Sequence, residues 1–164
     1  MDLDRPAVTV ATVETVHTRL DGEALRRARS DKGLTHHQLA RKVRLGPGER
    51  ILKLERGATE PNPRLIVKLA DALAVEPLQL LLLPNGIDLQ ALRLIAGRSA
   101  ADLASSVHVS LRSYLQWESG QGLLLRDGRI LAALGRELHV PTDRIVTAFP
   151  HNPGPEPDND APSQ

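Results

Sequence analysis

Residues 63 to 65 positions apart along this chain match in kind and in order. Arg29 and Arg93 are 64 apart, as are Thr35 and Ser99, and Leu39-Ala40 and Leu103-Ala104. Glu55 and Glu118 are 63 apart, and Val75 and Val140 are 65 apart. A repeat of this length means one supersecondary unit built twice. It constrains the fold more than any single motif does. Residues 86–149 hold a second copy of the unit in residues 21–83.

The first copy shows its sharpest local signals in residues 33–57, GLTHHQLARKVRLGPGERILKLERG. Thr35 with Gln38 three residues on is a capping box, which satisfies free amides at a helix start. Leu39, Ala40 and Val43 then fall on one helical face. Gly46, Pro47 and Gly48 are expected to break that helix. A second helical run over residues 49–56 stops at Gly57, a natural C-terminal cap. Helix, glycine-containing turn and helix is the outline of a DNA-binding helix-turn-helix.

Flanking segments complete the unit. Asp21 to about Lys32 reads as a helix with Leu25 and Ala28 on one face, acids at its positive end and Arg29 and Lys32 near its negative end. Asn62-Pro63 supplies an N-cap and a first-turn proline. The helix that follows buries Leu65, Ile66, Leu69, Ala70 and Leu73. Pro77 opens a fifth short helix through about Leu82, and Pro84-Asn85-Gly86 makes a turn. Residues 7–16 alternate Val and Thr in part, as a strand does. No second strand is obvious nearby, so the segment reads as an arm, or as a strand that pairs with another chain. From Pro150 onward, proline, acids and amides with nothing to bury predict a disordered tail.

The expected fold is therefore all-α. It has a short N-terminal arm (residues 1–20), two tandem five-helix units (21–83 and 86–149) and a disordered C-terminal tail (150–164). Composition agrees. Aromatics are 2% of residues within an apolar total of 41%. A core built on Leu, Val, Ile and Ala suits packed helices better than a β-sandwich. The chain has no cysteine, so disulfides and Cys-based zinc sites are excluded. The acidic start MDLDRP lacks the basic n-region of a signal peptide. The apolar run at 80–83 is too short to span a bilayer. These features predict a soluble cytoplasmic protein with no membrane partner.

The net charge of +1 hides an asymmetry. Residues 21–83 carry 12 Lys/Arg against 8 Asp/Glu, whereas residues 84–150 carry 7 against 6. Positive charge thus collects in the first copy, as expected for a surface facing phosphates. No nucleophile–base pair, phosphate loop or paired carboxylates stand out, so neither enzyme activity nor a cofactor is expected. His36 and His37 do not make a metal site, because adjacent helical residues point apart.

Each copy resembles the Cro/C1-type helix-turn-helix family, also called the xenobiotic response element (XRE) family. In the first copy the resemblance rests on Arg29, Gly33-Leu34-Thr35, Leu39-Ala40, Leu54-Glu55-Arg56-Gly57, Pro61 and Leu69-Ala70. In the second it rests on Arg93, Ser99, Leu103-Ala104, Val109-Ser110 and Trp117-Glu118-Ser119-Gly120. It implies two lambda-repressor-like helix-turn-helix domains. In each, the second helix would cross the phosphate backbone and the third would enter the major groove. It also implies structural ion pairs, Arg29 with Glu55 and Arg93 with Glu118. Two departures stand out. From Ala104 to Glu118 is 14 positions but from Ala40 to Glu55 is 15, so the Gly-Pro-Gly turn has an added residue that delays or re-angles the third helix. The second copy also has Ala100, Ala101 and Asp102 where the first has His36, His37 and Gln38.

Candidate DNA contacts follow. With Leu45, Ile51 and Leu54 inward, Gly48, Glu49, Arg50 and Lys53 are left for the groove. Arg50 or Lys53 suits guanine O6/N7, and Glu49 suits cytosine N4. His36, His37 and Gln38 sit at a helix N-terminus, which favours phosphate. Arg41, Lys42 and Arg44 add backbone contacts. In the second copy Tyr114 and Trp117 take core positions and Ser110 caps a helix. Arg112, Ser113 and Gln116 face the groove. Leu111, Leu115 and the leucines at 123–125 read either as a surface for a protein partner, a homodimer included, or as part of the second core. The expected function is a sequence-specific transcriptional regulator, with repression the expected mode. It would bind double-stranded DNA, at the nucleoid. The alternative is an antitoxin-like adaptor in which only the first copy binds DNA and the second mediates dimerisation or partner binding.

Overall fold

A computed structural model of the chain describes residues 17–84, 86–120 and 127–149. The expected strand at 7–16, the leucines at 123–125, Asn85 and the tail from 150 lie outside the described residues. Among those described, the chain is mostly helical, with one two-stranded sheet, and no helix is long and apolar enough to cross a membrane.

Strand β1 (Arg19–Leu20) leads into α1 (Gly22–Asp31), α2 (His36–Lys42), α3 (Glu49–Glu55) and α4 (Pro63–Leu73). Local chemistry sets these starts. The Asp21 carboxylate accepts from the amides of Glu23 and Ala24. Thr35 and Gln38 form the reciprocal capping box on α2, and Asn62 accepts from the Leu65 amide at 2.8 Å. The end of α2 differs from expectation. It stops at Lys42, ahead of Gly46-Pro47-Gly48, because Arg44 itself adopts the left-handed conformation with φ 55°. The Leu45 and Arg44 amides then bond back to the carbonyls of Ala40 and Arg41. This is the Schellman pattern without its usual glycine.

The expected fifth helix of the first unit is present as a short 3₁₀ helix that ends before Leu82. Pro77–Leu80 forms a 3₁₀ turn, and Leu81–Leu82 is strand β2, antiparallel to β1 with Arg19 opposite Leu82 and Leu20 opposite Leu81. The reason lies in the destinations of two neighbouring leucines. Leu80 packs in the first core beside Leu25, Leu69 and Leu73, while Leu81 packs away from it. Extended chain sends successive side chains to opposite faces, and a helix does not. Residues 18–20, assigned by the sequence to an arm, belong to the folded body. Thr18 is buried and its hydroxyl donates to the Asp88 carboxylate at 3.1 Å.

The second unit comprises α5 (Leu89–Ile95), α6 (Ala100–Ser106), α7 (Leu111–Glu118), α8 (Gly128–Leu138) and α9 (Thr142–Ala148). Its core centres on Leu89, Leu103, Tyr114, Leu134 and Ile145. Its helix ends match those of the first. Left-handed residues occur in the pairs Gly33 and Gly97, Arg44 and His108, Gly57 and Gly120, and Ala74 and His139. A seam of Ile66 from α4, Leu81 from β2 and Leu94 from α5 joins the units. Ile66, buried as its helical spacing predicts, faces this seam and not the first core.

Candidate nucleic-acid interface

Helices α2 and α3 meet at Gly48. A Cβ there would stand 2.7 Å from the His37 nitrogen and 3.0 Å from the His36 carbonyl carbon. The backbone angles, φ −60° and ψ −21°, suit any residue, so it is space that demands glycine. Gly48 is buried and offers nothing to a groove, contrary to the expectation from sequence. The added turn residue has a visible effect. The first turn of α3 is tightened by i→i+3 bonds from Arg50 to Pro47 and from Ile51 to Gly48. Glu49 begins the helix, one position later than Leu111 begins α7 once the 63-residue offset is applied. Gly48→Leu, which copies Leu111 into the first unit, is expected to destabilise by about 1–3 kcal/mol. A lower thermal midpoint by circular dichroism checks this.

The far end of α3 is tied to α1. Arg29 Nε lies 2.5 Å from Glu55 Oε1, and Arg29 Nη2 lies 3.3 Å from Oε2. Arg29 Nη1 donates to the Leu34 carbonyl at 2.7 Å. His36 is the third member, with Nε2 2.9 Å from Glu55 Oε2. It is therefore turned to Glu55, not offered to phosphate as the sequence suggested. The Glu55 side chain is 4% exposed. Burial pushes its carboxyl pKa up, but hydrogen bonds from Arg29 and then His36 outweigh this and hold it below the ordinary value. Sequence reasoning missed the His36 partner. The one available signal was that position 100, its counterpart, is alanine.

The second unit repeats the tie without a histidine. Arg93 Nε and Nη2 lie 2.6 and 3.1 Å from the Glu118 oxygens, a bidentate fork, and Nη1 donates to the Arg98 carbonyl. Burial lowers the Arg93 pKa, yet Glu118 more than compensates and raises it. The adjacent Tyr114 hydroxyl is buried; burial first, and then the Glu118 charge, push its pKa up.

Residues 22–83 match the protein family described as a helix-turn-helix domain. The first unit is a helix-turn-helix domain. Among solved structures, the chain is similar to the crystal structure of the restriction-modification controller protein C.AhdI from Aeromonas hydrophila. Identity is 37% over 36% of this chain and 84% of that one, with a TM-score of 0.34. Comparison with curated proteins gave no match.

The helix-turn-helix domain presents a clear outer set. Glu49, Arg50 and Lys53 are exposed on α3. Lys53 Nζ rests 3.3 Å from the Glu49 carboxylate, a solvated i,i+4 pair that separates at little cost. Arg50 Nη1 donates to the Leu45 carbonyl at 3.1 Å, which holds one edge of its guanidinium beside the turn. On α2, His37, Gln38, Arg41 and Lys42 are exposed, as is Arg44 just beyond it. The Gln38 carbonyl is occupied by the Thr35 amide, leaving its NH₂ group outward. In the second unit Arg112 and Gln116 are exposed and Ser113 is half-buried. Ser110 accepts from the Ser113 amide at 3.1 Å, and the two hydroxyls lie 2.8 Å apart. Leu111 and Leu115 are 45% and 46% exposed, so they do not complete the second core.

Proposed function

We propose that this chain is a sequence-specific DNA-binding transcriptional regulator whose principal reader is α3. One observation carries the reading. In the helix-turn-helix domain, the Arg29–Glu55–His36 cluster and Gly48 hold α3 from behind and below, while Glu49, Arg50 and Lys53 stay outward and free of the core. In this reading Arg50 and Lys53 read guanine, Glu49 accepts from cytosine, and His37, Gln38, Arg41, Lys42 and Arg44 meet phosphates. The excess of basic residues in 21–83 supplies the salt-dependent part of the affinity. The second unit, 86–149, acts as a second helix-turn-helix of the Cro/C1 kind. One chain then carries two reading heads, and repression follows from occupying promoter DNA. The protein works in the cytoplasm, at the nucleoid, without a cofactor and without catalysing a reaction.

The test is selection of bound duplexes from random DNA, followed by anisotropy titration. Lys53→Ala and Arg50→Ala are each expected to cost about 1–3 kcal/mol and to relax specificity at one position. Arg41→Ala is expected to weaken all sequences alike and to lower the salt slope by about one. No selective binding at moderate salt would sink the proposal.

The exposed Leu111 and Leu115 favour one other reading, an adaptor in which the second unit binds protein and the first alone holds DNA. A footprint covering a single half-site, unmoved by Arg112→Ala, supports that version.

A further inference from the structure

Helix α7 has Leu111, Arg112 and Gln116 where the first unit has Gly48, Glu49 and Lys53. Leu111 and Leu115 stand one turn apart, with Arg112 and Gln116 beside them, and these four together with Ser119 line one shallow depression. Among the described residues, no hydrogen bond occupies the Gln116 side-chain amide or the Arg112 guanidinium. The carboxylate on α7, Glu118, is turned away into its pair with Arg93. The depression is thus two leucines, one amide, one positive charge and the Ser119 hydroxyl, which donates to the Gln116 backbone carbonyl.

The chemistry of base edges distinguishes this set from that of α3. In the major groove adenine shows an acceptor at N7 and a donor at N6, which a glutamine amide matches with both of its ends. Its partner thymine shows a C5-methyl, which only an apolar side chain gains by covering. Arg50 and Lys53 on α3 are donors alone and suit guanine. We propose that α7 reads A·T pairs, with Gln116 on adenine and Leu111 and Leu115 on thymine methyls. The DNA target then joins a G·C-containing half-site under α3 to an A·T-rich half-site under α7. This rests on the reading of both units as DNA binders. Charge argues for DNA over a second copy of this chain. In a two-fold contact each patch meets itself. Such a contact would bring two like charges, one Arg112 from each copy, to a single apolar patch with no carboxylate in the depression to offset them. A phosphate-flanked groove complements that charge instead.

The experiment uses the full chain and its selected duplex. Replacing thymine by deoxyuridine in the A·T half-site removes only the methyl. Affinity is expected to fall about fourfold per methyl lost. Leu115→Ala should show a similar loss on the thymine duplex and then no response to deoxyuridine. Gln116→Ala should lose roughly tenfold of its preference for A·T over G·C at one position, with the α3 half-site unchanged. Deoxyuridine without effect, or a selected site lacking an A·T half beside an intact α3 half, overturns this inference alone. So does a change in sedimentation of the Leu111→Ala or Leu115→Ala protein with unchanged DNA affinity, which assigns the face to a second copy. Failure to select any sequence overturns the regulator reading and this one with it.

Discussion

Arg29→Ala is expected to destabilise the helix-turn-helix domain by about 3–5 kcal/mol, because it strands a carboxylate that is nearly excluded from solvent. Only His36 would remain beside Glu55, at 2.9 Å. The same cluster sets a pH dependence. The Glu55 pKa is lowered in the folded chain, so its contribution is fully present above the unfolded carboxylate value of about 4.3. It is lost as pH falls through the lower folded value. In Arg29→Ala burial is no longer outweighed and raises the Glu55 pKa, so the acid-side loss should vanish and stability should instead fall as pH rises through the carboxylate range. Glu55→Gln should remove this part of the pH profile altogether. Thermal melts followed by circular dichroism between pH 2 and 7 report all three. A melting curve for Arg29→Ala that overlays the wild type at every pH would show that the pair contributes nothing net.

The seam between the units carries the second large effect. Ile66 and Leu94 are buried there with Leu81. Alanine at either is expected to cost about 2–5 kcal/mol, combining lost burial with a cavity. The units also touch through Thr18 and Asp88, whose carboxylate caps α5 by accepting from the Ala91 amide at 2.7 Å. Calorimetry of the wild type should therefore show one transition, and the Ile66→Ala/Leu94→Ala protein should show two. A wild type that already melts in two steps would mean the seam does not couple the units. The coupling matters for function, because it fixes the spacing between α3 and α7 and so the spacing of any two half-sites they contact.

The helix starts were legible because they are local. Thr35 and Gln38, Asn62 and Pro63, and Ser110 each act within one turn of chain, and capping is chemistry that a turn contains. The Arg29–Glu55 and Arg93–Glu118 pairs came from a family resemblance that the repeat strengthened. The period of 63 to 65 residues reappeared in the backbone, where left-handed positions recur in matching pairs. Other features were not legible, since each depends on a neighbour distant in sequence. Nothing near Gly48 says that the His36 and His37 backbone will lie against it. Nothing near His36 names Glu55, 19 positions on. Helical spacing marked Ile66 as buried but not against what, because period reports which face is apolar and not what will cover it. The run at 80–83 looked like a helix end until the two units required Leu80 and Leu81 on opposite sides. The sequence by itself determined where most helices begin, that matching residues recur 63 to 65 positions apart, and which residues are free to be polar. Tertiary structure alone decided which of those polar residues are held in ion pairs and which are left outward, because that choice depends on how close α1, α2 and α3 approach one another in space.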